Sequence, residues 1–126
     1  MKIGIDIHGT INRFPKFFSM LIKILRKIKV EIHITTGVEE KYAIKELERL
    51  GIEYDYLFSI IEYHKEIGTP ILWDDYEHPW ISDYLWDKSK GDYCKSNKIN
   101  IHIDDSSVYG KYFETPYIKF FKKRKK

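Results

Sequence analysis

Residues 2–11 read KIGIDIHGTI. Ile3, Ile5 and Ile7 form a β-branched apolar run that predicts a strand. The strand carries Asp6 and His8 to its end and hands them to a Gly9-Thr10 turn. Open α/β sheets place their sites outside the carboxyl ends of the strands. Gly9 lets the chain turn sharply and lets backbone amides approach an anion. Asp6 is therefore the first candidate for a reacting atom.

At 126 residues the chain is expected to form one domain with a buried core. The hydrophobic share of 43% beside 33% charge is that of a globular chain, and the 16% aromatic share, mostly tyrosine, is high. The formal charge is +3, and much of the excess lies in the basic tail 122–126, KKRKK. Such a run is either a solvated terminus or a contact for nucleic acid. Cys94 is the sole cysteine, which excludes a disulfide framework and a cysteine-based zinc site. The opening residues lack the layout of a signal peptide, and no apolar run reaches the ~18 residues of a membrane span. A cytoplasmic protein without a membrane partner is expected.

Beyond the first strand, Pro15 suits a first helical turn. Phe17, Phe18, Leu21, Ile22, Ile24, Leu25 and Ile28 then keep helical spacing among lysines and arginine. Val30 to Thr35 predicts a second strand ending at Thr35-Thr36-Gly37. Glu39 and Glu40 open a second helix with Ile44, Leu47 and Leu50 as its buried stripe, and Gly51 ends it. Ile52 to Ile61 reads as a third strand with its lead-in. Residues 62–87, with all three tryptophans and an acidic run at 73–77, read as an irregular insertion with a short helix near Trp80 to Trp86. Ser89 to Asn97 predicts a helix, Ile99 to Ile103 a fourth strand, and Pro116 to Phe121 an edge strand. No repeat, low-complexity segment or dividing linker appears, so residues 1–121 are expected to be one domain. Strand and helix in alternation imply an α/β fold, with a mainly parallel central sheet joined by right-handed crossovers.

Parallel strands put their carboxyl ends on one edge. Asp6, His8, Thr36, Gly37, Asp104 and Asp105 would then converge, although nearly a hundred positions separate the first from the last. Clustered carboxylates repel, and a hard divalent cation relieves that repulsion. Mg²⁺ takes one or two carboxylates, keeps waters and bridges to phosphate. A carboxylate beside it can attack phosphorus.

On these motifs the chain resembles the haloacid dehalogenase (HAD) superfamily of phosphohydrolases. That family closes its first strand with Asp-x-Asp-x-Thr, and Asp6-Ile7-His8-Gly9-Thr10 stands in that place. Thr36 matches the Ser or Thr ending the second strand. Lys90 matches the lysine before the fourth strand, with Lys88 and Lys95 as alternatives. Asp104-Asp105 matches the acidic pair after that strand. The resemblance covers about residues 1–61 and 88–108. It implies a three-layer α/β/α Rossmann-like fold and Mg²⁺-dependent hydrolysis of phosphate monoesters through an aspartyl-phosphate on Asp6. By the same resemblance Asp6, the carbonyl of His8, Asp105 and Asp104 hold the metal, and Thr36, Gly37 and Lys90 bind the phosphoryl group.

The chain departs from the family at His8, where most of its phosphatases have an acid/base aspartate. An imidazole can also shuttle protons. Family members without that aspartate include slow phosphatases, phosphotransferases, other hydrolases and non-catalytic proteins. A catalytically impaired binder of a phosphate-bearing ligand or protein partner is thus the alternative, and a nucleic-acid end phosphatase using the basic tail is a third. The chain between Gly9 and Pro15 leaves no room for a mobile lid, and 62–87 is small for one. An open site resembles members that act on large substrates or are completed by a partner. His33 and His102 alternate with isoleucine and read as structural. The aromatics of 73–86 read as core or interface, or as the lining of a substrate entrance. Cys94 is assigned no chemistry.

Overall fold

Isoleucine at every second position decides which way the central strands face. The computed structural model describes residues 1–76 and 78–120. Strand β1 (Lys2–Asp6) leads through a 3₁₀ turn at Ile11–Arg13 into helix α1 (Pro15–Lys27). Strand β2 (Glu31–Thr36) and helix α2 (Glu40–Leu50) follow, then β3 (Tyr56–Ser59), α3 (Ile60–Glu66), and a small hairpin of β4 (Leu72–Trp73) and β5 (Pro79–Trp80). Helix α4 (Asp83–Ser96) returns the chain to β6 (Ile101–Asp104), and β7 (Tyr117–Lys119) closes the sheet edge.

Among the described residues the main sheet has five strands in the order β3-β2-β1-β6-β7, all paired in parallel. Successive connections from β1 build the sheet in one direction as far as β3. The long connection through α4 then carries the chain back across β1 to β6. The direction of winding reverses between β1 and β6, and ligand crevices of doubly wound sheets open at such a reversal. The architecture is α/β, compatible with a Rossmann-like arrangement.

The pairing Ile3↔Ile32 and Ile5↔Ile34 puts four isoleucines on one face. Phe18 and Ile22 of α1 and Ala43 and Leu47 of α2 bury against them in one apolar cluster. The opposite face carries Gly4, Asp6, His33, Thr35, His102 and Asp104, brought side by side by the registers Gly4↔His33, Gly4↔His102 and Asp6↔Thr35. Helix α4 covers this polar face. Its Tyr93 hydroxyl meets His33 Nδ1 at 2.6 Å, and its Lys90 reaches Asp6 and Asp104. Helices therefore flank both faces. His33 and His102 are both buried within the polar face.

Three sequence expectations change. The run 52–61 holds only a four-residue strand, because Ser59 caps a new helix: its hydroxyl accepts the Glu62 N–H at 3.2 Å and donates to Val38 O at 2.6 Å. The Ser-x-x-Glu pattern ahead of an apolar run is a helix-start signal that competes with the β-branched run before it. The insertion 62–87 is accordingly more regular than expected, containing most of α3, the hairpin and the start of α4, which begins at Asp83 rather than Ser89. On α1 only Phe18 and Ile22 are fully buried, whereas Phe17 and Ile24 are exposed, as is Ile28 just past its end. A helix lying on a sheet buries one stripe about 100° wide, and these side chains fall outside it.

The edge strand appears at Tyr117–Lys119, within the expected 116–121. Phe121 and the basic tail 122–126 lie outside the described residues. Among those described, no helix is long and apolar enough to cross a membrane.

Candidate active site

Asp6 is the last residue of β1 and Asp104 the last of β6, so neighbouring parallel strands deliver two carboxylates to one edge at the winding reversal. Both are buried. Lys90, at the middle of α4 and itself buried, lies between them, its ammonium donating to Asp6 Oδ1 and to Asp104 Oδ2 at 2.8 Å each. Of the three lysines considered, Lys90 alone reaches this cluster: Lys88 pairs with Asp92 and Lys95 with Glu114.

The remaining carboxylate oxygens are also engaged. Asp6 Oδ2 accepts from the Thr10 hydroxyl at 3.2 Å, and Asp104 Oδ1 accepts the Ser106 N–H at 3.1 Å. Asp105, in the turn after β6, is exposed, yet one of its oxygens lies within 4.8 Å of ligand atoms on Asp6 and Asp104. Three carboxylates gathered this closely could hold a metal ion.

Asp105 rests against the backbone of Gly9. A Cβ at Gly9 would lie 2.0 Å from Asp105 Oδ2, and Gly9 has a φ of +86°. Gly9→Ala is expected to cost about 1–2 kcal/mol from the left-handed backbone alone and to push Asp105 away from the cluster. Urea unfolding measures the first effect, and a structure of the variant the second.

The charges at the site oppose one another. Burial pushes the Asp6 carboxyl up to about 7, Lys90 holds it back, and Asp104 and Asp105 push it further up. Burial works against the Lys90 ammonium, but Asp6 and Asp104 outweigh it and hold the group above its ordinary value. His102 sits behind Asp104 with Nε2 at 2.8 Å from the Thr35 hydroxyl. Burial, and then the Lys90 charge, drive its imidazole down to about 3. Burial also pushes the Cys94 thiol up to about 12, which keeps it from acting as a thiolate.

Asp6 and His102 therefore tilt the pH dependence of stability in opposite directions. Asp6 binds its proton more tightly folded than unfolded, so its contribution is complete below about 3.8 and is lost as pH rises toward 7. His102 binds its proton less tightly folded, so its contribution is complete above 6.5 and is lost as pH falls toward 3. Each single-group slope is about 1.4 kcal/mol per pH unit. Between pH 4 and 6.5, without added metal, Asp6→Asn is expected to make stability rise more steeply with pH. His102→Gln should make it rise less steeply or fall. Urea midpoints across that window check both.

The carboxylate cluster forms the floor of a cleft of about 520 Å³. His8 and Gly37 line it beside Asp6, Lys90, Asp104 and Asp105. His8 is exposed, and no described residue hydrogen-bonds its imidazole. Thr36 is fully buried and lies beneath the lining, its hydroxyl accepting the Val38 N–H at 3.3 Å. The order Thr35-Thr36-Gly37 thus presents a backbone turn to the cleft, with the Thr36 side chain holding that turn.

No family model, curated protein or solved structure matches the chain. The site must therefore be read from its own geometry.

Sequence reasoning assigned no role to Thr10, Tyr42 or Tyr109. Thr10 occupied the last place of the first motif, four residues after Asp6, and that spacing is the signal for its bond to Asp6 Oδ2. Tyr109 opens a short 3₁₀ helix (Tyr109–Tyr112) after β6 that no periodicity in the sequence announces, so only the fold places it on the cleft. Trp86, inside the stretch weighed as a substrate entrance, does line the cleft, with Pro79 of the hairpin beside it.

Proposed function

We propose that this chain is a magnesium-dependent phosphohydrolase of the HAD-like type, with a three-layer α/β/α arrangement, no mobile lid, and Asp6 as its nucleophile. One observation carries the reading: Asp6, Lys90, Asp104 and Asp105, drawn from three separate stretches of the chain, meet at the floor of one cleft. A buried lysine shared by two carboxylates, with a third carboxylate beside them, matches the motif order noted in the sequence.

In this reading Asp6, Asp105, Asp104 and the His8 carbonyl would hold Mg²⁺. When bound, the ion supplies positive charge that offsets the charge of the phosphoryl oxygens. A carboxylate oxygen of Asp6 attacks phosphorus, and the bond from phosphorus to the ester oxygen breaks. The departing oxygen takes a proton held at His8. Water then gives one proton back to His8 and attacks the aspartyl-phosphate at phosphorus, restoring the Asp6 carboxylate and releasing inorganic phosphate. The net reaction consumes one phosphate monoester and one water, and yields one alcohol and one phosphate. The Gly37 turn, braced by Thr36, together with the Lys90 ammonium, orients the phosphoryl group. Lys90 also keeps Asp6 and Asp104 close despite their like charge.

His8 favours a second reading, a catalytically impaired binder of a phosphate-bearing ligand or partner. Its imidazole is exposed and unanchored by any described hydrogen bond, whereas a general acid is normally held in place. The test is phosphate release from an aryl phosphate with Mg²⁺ by the native chain, Asp6→Asn and His8→Asp. Turnover by the native chain that Asp6→Asn abolishes supports the first reading. Turnover only after His8→Asp supports the second. A nucleic-acid substrate recognised by the basic tail would show as steeply salt-dependent binding that is lost when 122–126 are removed.

A further inference from the structure

We infer that the cleft selects single-phosphate esters of uncharged aromatic alcohols, that is, aryl phosphomonoesters; this rests on the phosphohydrolase reading above. Six apolar or aromatic side chains line the cleft, Val38, Tyr42, Ile61, Pro79, Trp86 and Tyr109, alongside Glu39, His78 and Ser106. Such a wall favours a flat apolar group over a hydroxylated sugar.

Part of this wall is fixed in place. The Trp86 indole packs on the Gly37 backbone so closely that a Cβ there would lie 2.7 Å from Cζ2. The Trp86 Nε1–H donates to the Tyr109 hydroxyl at 3.0 Å. The Tyr109 ring in turn lies 5.1 Å from Lys90 Nζ. One connected aromatic surface thus runs from the Gly37 turn to the lysine, and a ring esterified to the bound phosphate would lie along it.

Charge narrows the choice further. Asp6, Glu39, Asp104 and Asp105 line the cleft, and Lys90 is its only lysine or arginine among the described residues. That lysine is already shared by Asp6 and Asp104. His78 also lines the cleft but lies 3.2 Å from Asp74. Mg²⁺ would occupy Asp6, Asp104 and Asp105, and Glu39 pairs with Lys65 at 3.4 Å, so a second phosphate or a carboxylate on the leaving group would find no free lysine or arginine in that lining. Bisphosphates and nucleoside polyphosphates are disfavoured on that ground.

The leaving group completes the argument. A phenol ionises near pH ~10, about six units below water. A phenolate therefore departs with little help from an acid, and no described hydrogen bond holds the imidazole of His8, the acid of the reading above. Aliphatic esters would depend on that proton far more.

The experiment uses the full chain with Mg²⁺. It compares kcat/KM for phenyl phosphate, cyclohexyl phosphate and a sugar bisphosphate, and measures by calorimetry the binding of phenylphosphonate and cyclohexylphosphonate, which cannot be hydrolysed. The expected order is phenyl over cyclohexyl by at least ~10-fold in kcat/KM, with the bisphosphate slowest. Phenylphosphonate should bind more tightly than its cyclohexyl counterpart. Tyr42→Ala, at a half-exposed position, is expected to weaken phenylphosphonate binding by ~3–10-fold while leaving cyclohexylphosphonate binding within about 2-fold. Asp6-dependent turnover with equal or reversed preference overturns this inference and leaves the phosphohydrolase reading standing. Tighter phenylphosphonate binding without turnover upholds the aromatic selectivity and overturns catalysis. Absence of both turnover and aryl preference overturns both.

Discussion

In saturating Mg²⁺, Asp6→Asn is expected to release phosphate from phenyl phosphate at least about 10³-fold more slowly than the native chain. The amide keeps the size of the side chain and its contact with Thr10, but it is a poor nucleophile and has only one carbonyl oxygen. The fold should survive, because the change removes a buried carboxyl that burial and two neighbouring aspartates already disfavour in its charged form. Near-ultraviolet circular dichroism and the urea midpoint check that point. A second readout looks at the covalent step itself. Hydroxylamine captures an acyl phosphate, so the native chain turning over substrate should become modified at Asp6, and the Asp6→Asn chain should not. Hydrolysis at the native rate by the Asp6→Asn chain would remove Asp6 from the role of nucleophile.

Lys90→Met is the second large effect, and it falls on stability as well as activity. The ammonium is the partner of two buried carboxylates at 2.8 Å each. Methionine fills similar space but leaves Asp6 and Asp104 facing each other without a cation. Removing one member of a buried charge cluster typically costs about 3–5 kcal/mol. The loss should be largest above pH 7 and smaller near pH 5, where Asp6 takes up a proton. It should also shrink in the Asp6→Asn background, which has one carboxylate fewer, so that the two substitutions are strongly non-additive. Added Mg²⁺ should restore part of the lost midpoint by supplying positive charge to the same oxygens. Urea unfolding of the four chains of this cycle, with and without Mg²⁺, measures each point. Additive losses would mean that Lys90 acts through packing rather than charge.

Much of this arrangement is legible in the residues themselves. Alternating isoleucines in 3–7 and 30–34 select strands, helical spacing in 15–27 selects the intervening helix, and their order selects a parallel sheet. Once the strands are parallel, Asp6, Gly37 and Asp104 must share an edge, because each lies at or just past the end of its strand. This much follows from local periodicity and chain direction.

The tertiary structure alone decided the rest. Lys88, Lys90 and Lys95 are equivalent as residue types; what singles out Lys90 is the rotation of α4, which begins at Asp83, on the polar face of the sheet. Thr36 reads as a ligand-facing hydroxyl, but strand alternation sends Thr35 to His102 and leaves Thr36 bracing the turn beneath Gly37. Tyr42, Trp86 and Tyr109 come from a helix face, a helix start and a 3₁₀ turn after β6, and nothing local links them. The sequence by itself determined the central strands β1, β2 and β6, their parallel direction and the edge on which the carboxylates gather, since those depend on periods of two and 3.6 residues. Which side chains complete the cleft depended on packing between elements far apart in the chain, and that information is not carried by any one stretch.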